Sequence, residues 1–301
     1  MTIYNQISAN KWRTSMIIAL FIALISFFFY LVGTYVGDST SYFLIGMVLS
    51  FASGIGSYFY SDKIVLLMTG AKRASKEEYF DFYTVTENLS IAAGLPMPKL
   101  YVIRDSALNA FATGRNPHHA VIVATTGILS RLERSELEGV IGHELSHVKN
   151  YDILVMSIVT ILVGTLVFVS DWIMRMMWWG GLRRSNNDNG RGGNVVSFVL
   201  FIVFLILMPI IATLIQLAVS RRREFLADAS SALLTRNPEA LARALEKISS
   251  DPRILHTASN ATAHLFISNP YHKKKNKFSW IATLFSTHPP VEERIKILRS
   301  I

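Results

Sequence analysis

The sequence predicts a mainly α-helical membrane protein: four transmembrane helices plus an α+β domain with a small antiparallel sheet, assembled from two polar segments. Three observations predict it. Hydrophobic residues make up 51% of the chain and charged residues only 17%, against roughly 25% charged in soluble domains. Four uncharged stretches occur, at 16–36, 41–60, 153–170 and 195–220, each near the ~20 residues a helix needs to cross a bilayer. The segments between and after them carry the capping and turn signals of an ordinary folded domain. The chain thus divides into a first transmembrane hairpin (1–61), a polar segment (62–150), a second hairpin (151–220) and a second polar segment (221–301).

Span 16–36 is too long for the apolar core of a cleaved signal peptide. Span 41–60 carries Gly46, Gly54 and Gly56, small residues that let membrane helices approach closely. Pro209 predicts a kink in span 195–220. Basic residues sit at span ends: Lys11 and Arg13, Lys72 and Arg73, Arg221 to Arg223. The link near Asp38 has no Lys or Arg, so the positive-inside bias puts the N-terminus and both polar segments in the cytoplasm. Arg175, Arg183, Arg184 and Arg191 in the link between the last two spans run against that bias, and a shallow re-entrant hairpin is the alternative there. The net charge of +9 is accounted for by these flanks, and no nucleic-acid-binding motif accompanies it.

In the first polar segment, Ser75 and Glu78 form a capping box that opens a helix, which Gly94 and Pro96 end. Residues 99–103 and 120–124 read as strands, with 109–114 a third. Ser135 and Glu138 form a second capping box, opening a helix that runs through His147. Asn237 and Pro238 start a helix in the second segment, and Pro290 the terminal one. The Gly- and Asn-rich stretch 186–194 reads as a loop.

The chemistry lies in His143-Glu144-Leu145-Ser146-His147. Residues four apart share a helical face, so both imidazoles can reach one Zn²⁺ ion. Glu144, beside them, is placed to take a proton from the attacking water and pass it to the leaving amine. With no cysteine in the chain, a third ligand must be His, Asp or Glu. The metzincin pattern would continue with a glycine and a third histidine, but those positions hold Asn150 and Ile153. Glu224 in Arg223-Glu224-Phe225-Leu226-Ala227-Asp228 is the best candidate, and Asp228, four residues on, can accept the outer N–H of a ligand histidine. Two membrane crossings between His147 and Glu224 bring the three ligands to the same side.

These strings resemble the HtpX family of membrane zinc metalloproteases, gluzincins related to the CAAX prenyl endopeptidases. So do Tyr4-Asn5-Gln6-Ile7 ahead of the basic cluster, the run from Asn109 to Gly114, and Thr287-His288-Pro289-Pro290 with Arg294. The resemblance implies a gluzincin-like catalytic domain, with one Zn²⁺ held by His143, His147 and Glu224, and Glu144 as general base. It further implies that Asn109, Ala110, Phe111 and Ala112 pair with the substrate backbone as an added strand. His288 and Arg294 would stabilise the developing oxyanion. The expected setting is the bacterial cell membrane, with protein quality control on misfolded membrane proteins as the role, protein substrates and the lipid bilayer as partners, and no nucleic acid.

His118, His119, His256, His264 and His272 are not assigned a role. Lys273, Lys274, Lys275 and Lys277 precede an apolar run and read first as a solvated loop. Two other functions compete. An intramembrane protease would carry its motif inside an apolar span, whereas Lys149, Asn150 and Asp152 follow His147 at once. An idle zinc-binding scaffold would have no use for Glu144.

Overall fold

A computed structural model describes residues 3–178, 221–259, 262–268 and 289–301. Two long helices, α1 (Ile3–Val36) and α2 (Ser39–Thr69), form an antiparallel hairpin. Asp38 caps α2, its Oδ1 accepting from the Ser41 amide at 3.1 Å. The face α2 buries is made of small residues, Gly46, Ser50, Gly54, Ser57 and Ser61, so the helix axes come close. A Cβ on Gly46 would lie 2.6 Å from Phe29 Cβ, and one on Gly54 3.0 Å from Ile18 Cγ2. The outward faces of both helices are apolar and exposed, as at Leu20, Phe27, Val48, Leu49 and Phe51. Such a belt suits lipid rather than water.

The α+β domain follows. Strand β1 (Lys72–Arg73) precedes α3 (Phe80–Ala93), and then come β2 (Lys99–Ile103), β3 (Ala110–Gly114) and β4 (Ala120–Thr125). The sheet order is β1-β2-β4-β3, with β2 and β4 parallel and the outer pairs antiparallel. The expected antiparallel sheet is therefore corrected to a mixed one. The physical reason is lane order. The link after β2 crosses one lane before β3 returns, and the β3–β4 hairpin then places β4 in the vacant lane, running the same way as β2. Asp105 secures that link, accepting from the Ala107 amide and, across the domain, from His256 N–H.

Helix α4 (Thr126–Arg131) leads into α5 (Arg134–Lys149), which turns into α6 (Asp152–Trp178). In the second polar segment, α7 (Arg221–Thr235), α8 (Pro238–Ser250) and α9 (Val291–Leu298) complete the domain. One core joins the two polar segments: Phe82, Ile122, Val140 and Leu145 pack with Leu241, Leu245 and Leu298. A second cluster joins Ile17 and Phe21 of α1 to Leu154, Ile158 and Leu162 of α6.

Two helix starts differ from expectation. Ser75 accepts from the Glu78 amide in a turn, and the helix itself begins at Phe80. Helix α5 is capped two residues early, where Glu136 Oε2 accepts from the Glu133 amide at 2.8 Å. The chain is extended at Leu132 and Glu133, so Ser135 is already inside the first turn and cannot cap it. Glu136 is also held by Lys247 of α8 at 2.7 Å. The Gly94 stop and the Asn237 cap lie where they were placed.

Among the described residues, two helices are long and apolar enough to cross a membrane. The bent pair α5–α6, turning by 83°, would make a third. The span expected at 195–220 and the loop at 186–194 lie outside the described residues, so the count of four is not established.

Helices α5 and α8 touch at Gly139, where a Cβ would come within 2.9 Å of the Leu241 backbone. Gly139→Val should destabilise the protein by about 1–3 kcal/mol through overpacking. Gly56→Ala, where a Cβ meets nothing within 4 Å, should not lower stability. Thermal unfolding in detergent, followed by circular dichroism, reads both.

Candidate active site

Helix α5 is buried over most of its length, and His143, Glu144 and His147 are 1%, 2% and 5% exposed. Gly142 lets α7 cross it closely. A Cβ at Gly142 would meet Ser231 Oγ at 2.8 Å, and that hydroxyl donates to the Gly139 carbonyl at 2.7 Å. The crossing carries Glu224, at the start of α7, to the two histidines. Glu224 Oε2 lies 3.7 Å from His143 Nε2, and its Oε1 lies 3.5 Å from His147 Nε2. One ligand atom from each of the three residues falls within 4.8 Å of the others.

Each imidazole is held from behind by a carboxylate. His143 Nδ1 donates to Asp228 Oδ1 at 2.9 Å, and His147 Nδ1 donates to Asp152 Oδ2 at 3.0 Å. With both Nδ1 atoms donating, the lone pairs fall on Nε2, and the two Nε2 atoms stand 3.2 Å apart. Two acceptors that close to each other and to a carboxylate need a cation between them. Two imidazoles and one carboxylate are also the donor set of many catalytic zinc sites. The residues present therefore fit a metal ion.

The electrostatics agree. Burial pushes the His143 pKa down, against the pull of its Asp228 hydrogen bond, so it favours the neutral form a ligand requires. At His147 burial also opposes charge, but the Asp152 hydrogen bond and the Glu224 carboxylate outweigh it and raise the pKa to about 9. That site draws a positive charge, which a proton or a metal ion can supply. Burial raises Glu144 to about 7, with the charge on His147 pulling it down and Glu224 pushing it up.

Arg294, fully buried, donates to Asp228 through Nε (2.8 Å) and Nη2 (2.7 Å). Its Nη1 donates to the Ile267 carbonyl at 3.3 Å and lies 3.7 Å from Glu224 Oε2. Arg294 thus reaches the cluster, but its strongest contacts orient Asp228. Burial raises the Asp228 pKa, and the Arg294 charge outweighs it, leaving the carboxyl below its usual range. His288 lies outside the described residues.

Asn109, Ala110, Phe111 and Ala112 lie in or beside β3, the edge strand next to the site. The Ala112 backbone, beside Glu144, favours the charged form of its carboxylate. Other groups along that edge are engaged too. Ile267 N–H donates to the Ala110 carbonyl at 3.0 Å, and Asn109 Nδ2 donates to the Ser268 carbonyl at 3.1 Å. The Phe111 and Phe266 rings meet edge-on at 5.1 Å.

Asp152 was not anticipated as a partner of His147. The signal was its place five residues after a ligand histidine that needs a carboxylate behind it. Its reach depends on Tyr151, whose φ of +60° folds the chain back between α5 and α6. Among the histidines left without a role, His118 and His119 are exposed. His264 is buried against Thr160, away from the cluster.

Comparison with known proteins matches the description "Peptidase family M48" to residues 80–301. The "Protease HtpX homolog" of Tropheryma whipplei (strain Twist) is 45% identical over 298 residues, covering 99% of this chain and 98% of that protein. The protein of the same name from Thermoanaerobacter pseudethanolicus is 40% identical over 304 residues, covering 100% and 98%. The crystal structure of S. mikatae Ste24p is similar in fold, with a TM-score of 0.51 at 20% identity; this chain is covered over 95% of its length and spans 66% of that one. With its apolar helices and its buried His-His-Glu cluster, the chain belongs to peptidase family M48 as an HtpX-type metallopeptidase of the membrane.

Proposed function

We propose that the chain is a zinc-dependent endopeptidase, multi-pass in the bacterial cell membrane. Its catalytic domain faces the cytoplasm, and it hydrolyses peptide bonds of misfolded or damaged membrane proteins. The observation that carries the reading is the convergence of His143, His147 and Glu224 on one buried point beside Glu144.

His143, His147 and Glu224 would hold the zinc ion. A zinc ion held there would supply a nucleophile at neutral pH. Glu144 accepts the proton of the attacking water and returns it to the leaving amine; burial, which brings its pKa to about 7, suits both tasks. Asp228 and Asp152 hold the imidazoles in the tautomer that offers Nε2. Arg294 holds Asp228 and adds positive charge beside Glu224. His288 keeps its expected role at the oxyanion.

Asn109, Ala110, Phe111 and Ala112 receive substrate as an extended strand. Ile267 already uses the Ala110 carbonyl, so a substrate strand gains that group only by replacing it. The basic flanks together with the site support the cytoplasmic side. Asn10, just before Lys11 at the start of the apolar stretch, touches Asp152 beside His147. The zinc ligands thus lie level with the end of α1 that the positive-inside bias puts in the cytoplasm. An intramembrane site draws support from the α5–α6 pair, which together pass as a broken span. Against it, α5 is enclosed by α3, α7, α8 and the sheet rather than by lipid.

Purified, detergent-solubilised protein should cleave an unfolded protein such as casein. Glu144→Gln should keep zinc and lose most turnover, about 10²-fold or more; near-normal rates would sink the mechanism. Glu224→Ala should lower zinc content measured by atomic absorption, and an unchanged content would remove Glu224 from the ligand set. Sequencing of the products should show many unrelated cleavage sites, since backbone pairing makes little demand on side chains. A single strict motif would argue against strand addition.

A further inference from the structure

Asn10 is only 2% exposed, although it lies in α1 just before the apolar stretch, 142 residues from its partner. Its amide nitrogen has two hydrogens, and both are used. One goes to the Asn150 carbonyl at 2.9 Å and the other to Asp152 Oδ1 at 2.8 Å. Asp152 Oδ2 accepts from His147 Nδ1. Asn150 ends α5 and Asp152 begins α6, so one side chain holds both sides of the Tyr151 bend. Arg223, next to Glu224, donates to the same Asp152 oxygen at 3.3 Å.

Resting on the zinc reading above, we propose that Asn10 is a positioning residue for the ligand His147, which makes the N-terminal membrane helix a working part of the metal site. Packing alone does not require an asparagine here. Ile17 and Phe21 already seat α1 against α6 with apolar contacts, and a buried amide is costly unless its partners are specific. Asn10 fixes the carboxylate, the carboxylate fixes the imidazole ring and its tautomer, and the ring then offers Nε2 to the metal. Partners that act through a ligand in this way affect metal affinity by about 10–100-fold.

The test is zinc affinity of the full-length protein in nanodiscs, by competition with a chromogenic chelator. Asn10→Leu keeps the bulk and removes the donor. It should raise the zinc Kd by about 10-fold, and Asp152→Ala by about 10–100-fold. The double variant should match Asp152→Ala alone within about twofold, because Asn10 then has no carboxylate left to hold. Thr14→Ala, one turn further along α1 and also buried, should leave the Kd unchanged.

A Kd for Asn10→Leu within about twofold of wild type overturns the inference, as do additive losses in the double variant. Equal weakening by Thr14→Ala overturns it too, since loosened packing would then explain the loss. In all three cases the zinc reading stands. Wild-type protein that takes up no zinc overturns that reading, and the inference with it.

Discussion

At the centre of the molecule two imidazole nitrogens stand 3.2 Å apart beside a carboxylate. Such a cluster of electron pairs is unfavourable without a cation, and the surrounding structure is arranged to maintain it. The close crossing of α5 and α7 brings the carboxylate in, and it depends on the absence of a side chain at Gly142. Asp228 and Asp152 sit behind the rings and set which nitrogen carries the hydrogen. Each of them is held in turn, Asp228 by Arg294 and Asp152 by Asn10 and Arg223.

This is an expensive interior. Each buried ion costs several kcal/mol of lost hydration, and apolar residues of similar volume often pack as stably or better. Arg294, Asp228, Asp152, Glu144 and Glu224 are nonetheless all nearly inaccessible. A left-handed tyrosine at 151 adds about 1–3 kcal/mol of backbone strain. Charge and strain concentrated at one point mark the place where the fold serves chemistry rather than stability. Elsewhere the domain is held by ordinary means, with an apolar core shared by the sheet and helices α3, α5 and α8.

Membrane and catalytic parts meet at the same level. Helix α6 leaves the site at Asp152 and packs against α1 through Leu154, Ile158 and Leu162. Basic side chains gather close by: Lys11 lies over the Tyr151 ring, and further round Arg115 lies over the Phe59 ring and donates to the Phe59 carbonyl. Aromatic and cationic groups are at home at a bilayer surface. His147 of the His-His-Glu cluster lies five residues before the start of α6.

Much of this was legible in the sequence, because it rests on short-range rules. Hydropathy marks apolar helices, four-residue spacing puts two histidines on one face, and Gly94 and Asn237 mark helix ends by local geometry. The start of α5 was misplaced because two overlapping capping patterns exist and only the tertiary pairing of Glu136 with Lys247 selects one. The parallel lane in the sheet was missed because strand order depends on where a link crosses, which no local pattern encodes. The sequence by itself determined the elements, the metal chemistry available and the preference for a membrane. Only the tertiary structure decided which side chains stand behind the histidines and their carboxylates: Asp152 across a strained bend, Arg294 behind Asp228, and Asn10 from the far end of the chain. Two of these contacts, Arg294 to Asp228 and Asn10 to Asp152, join residues 66 and 142 positions apart, and their geometry exists only once the helices have packed.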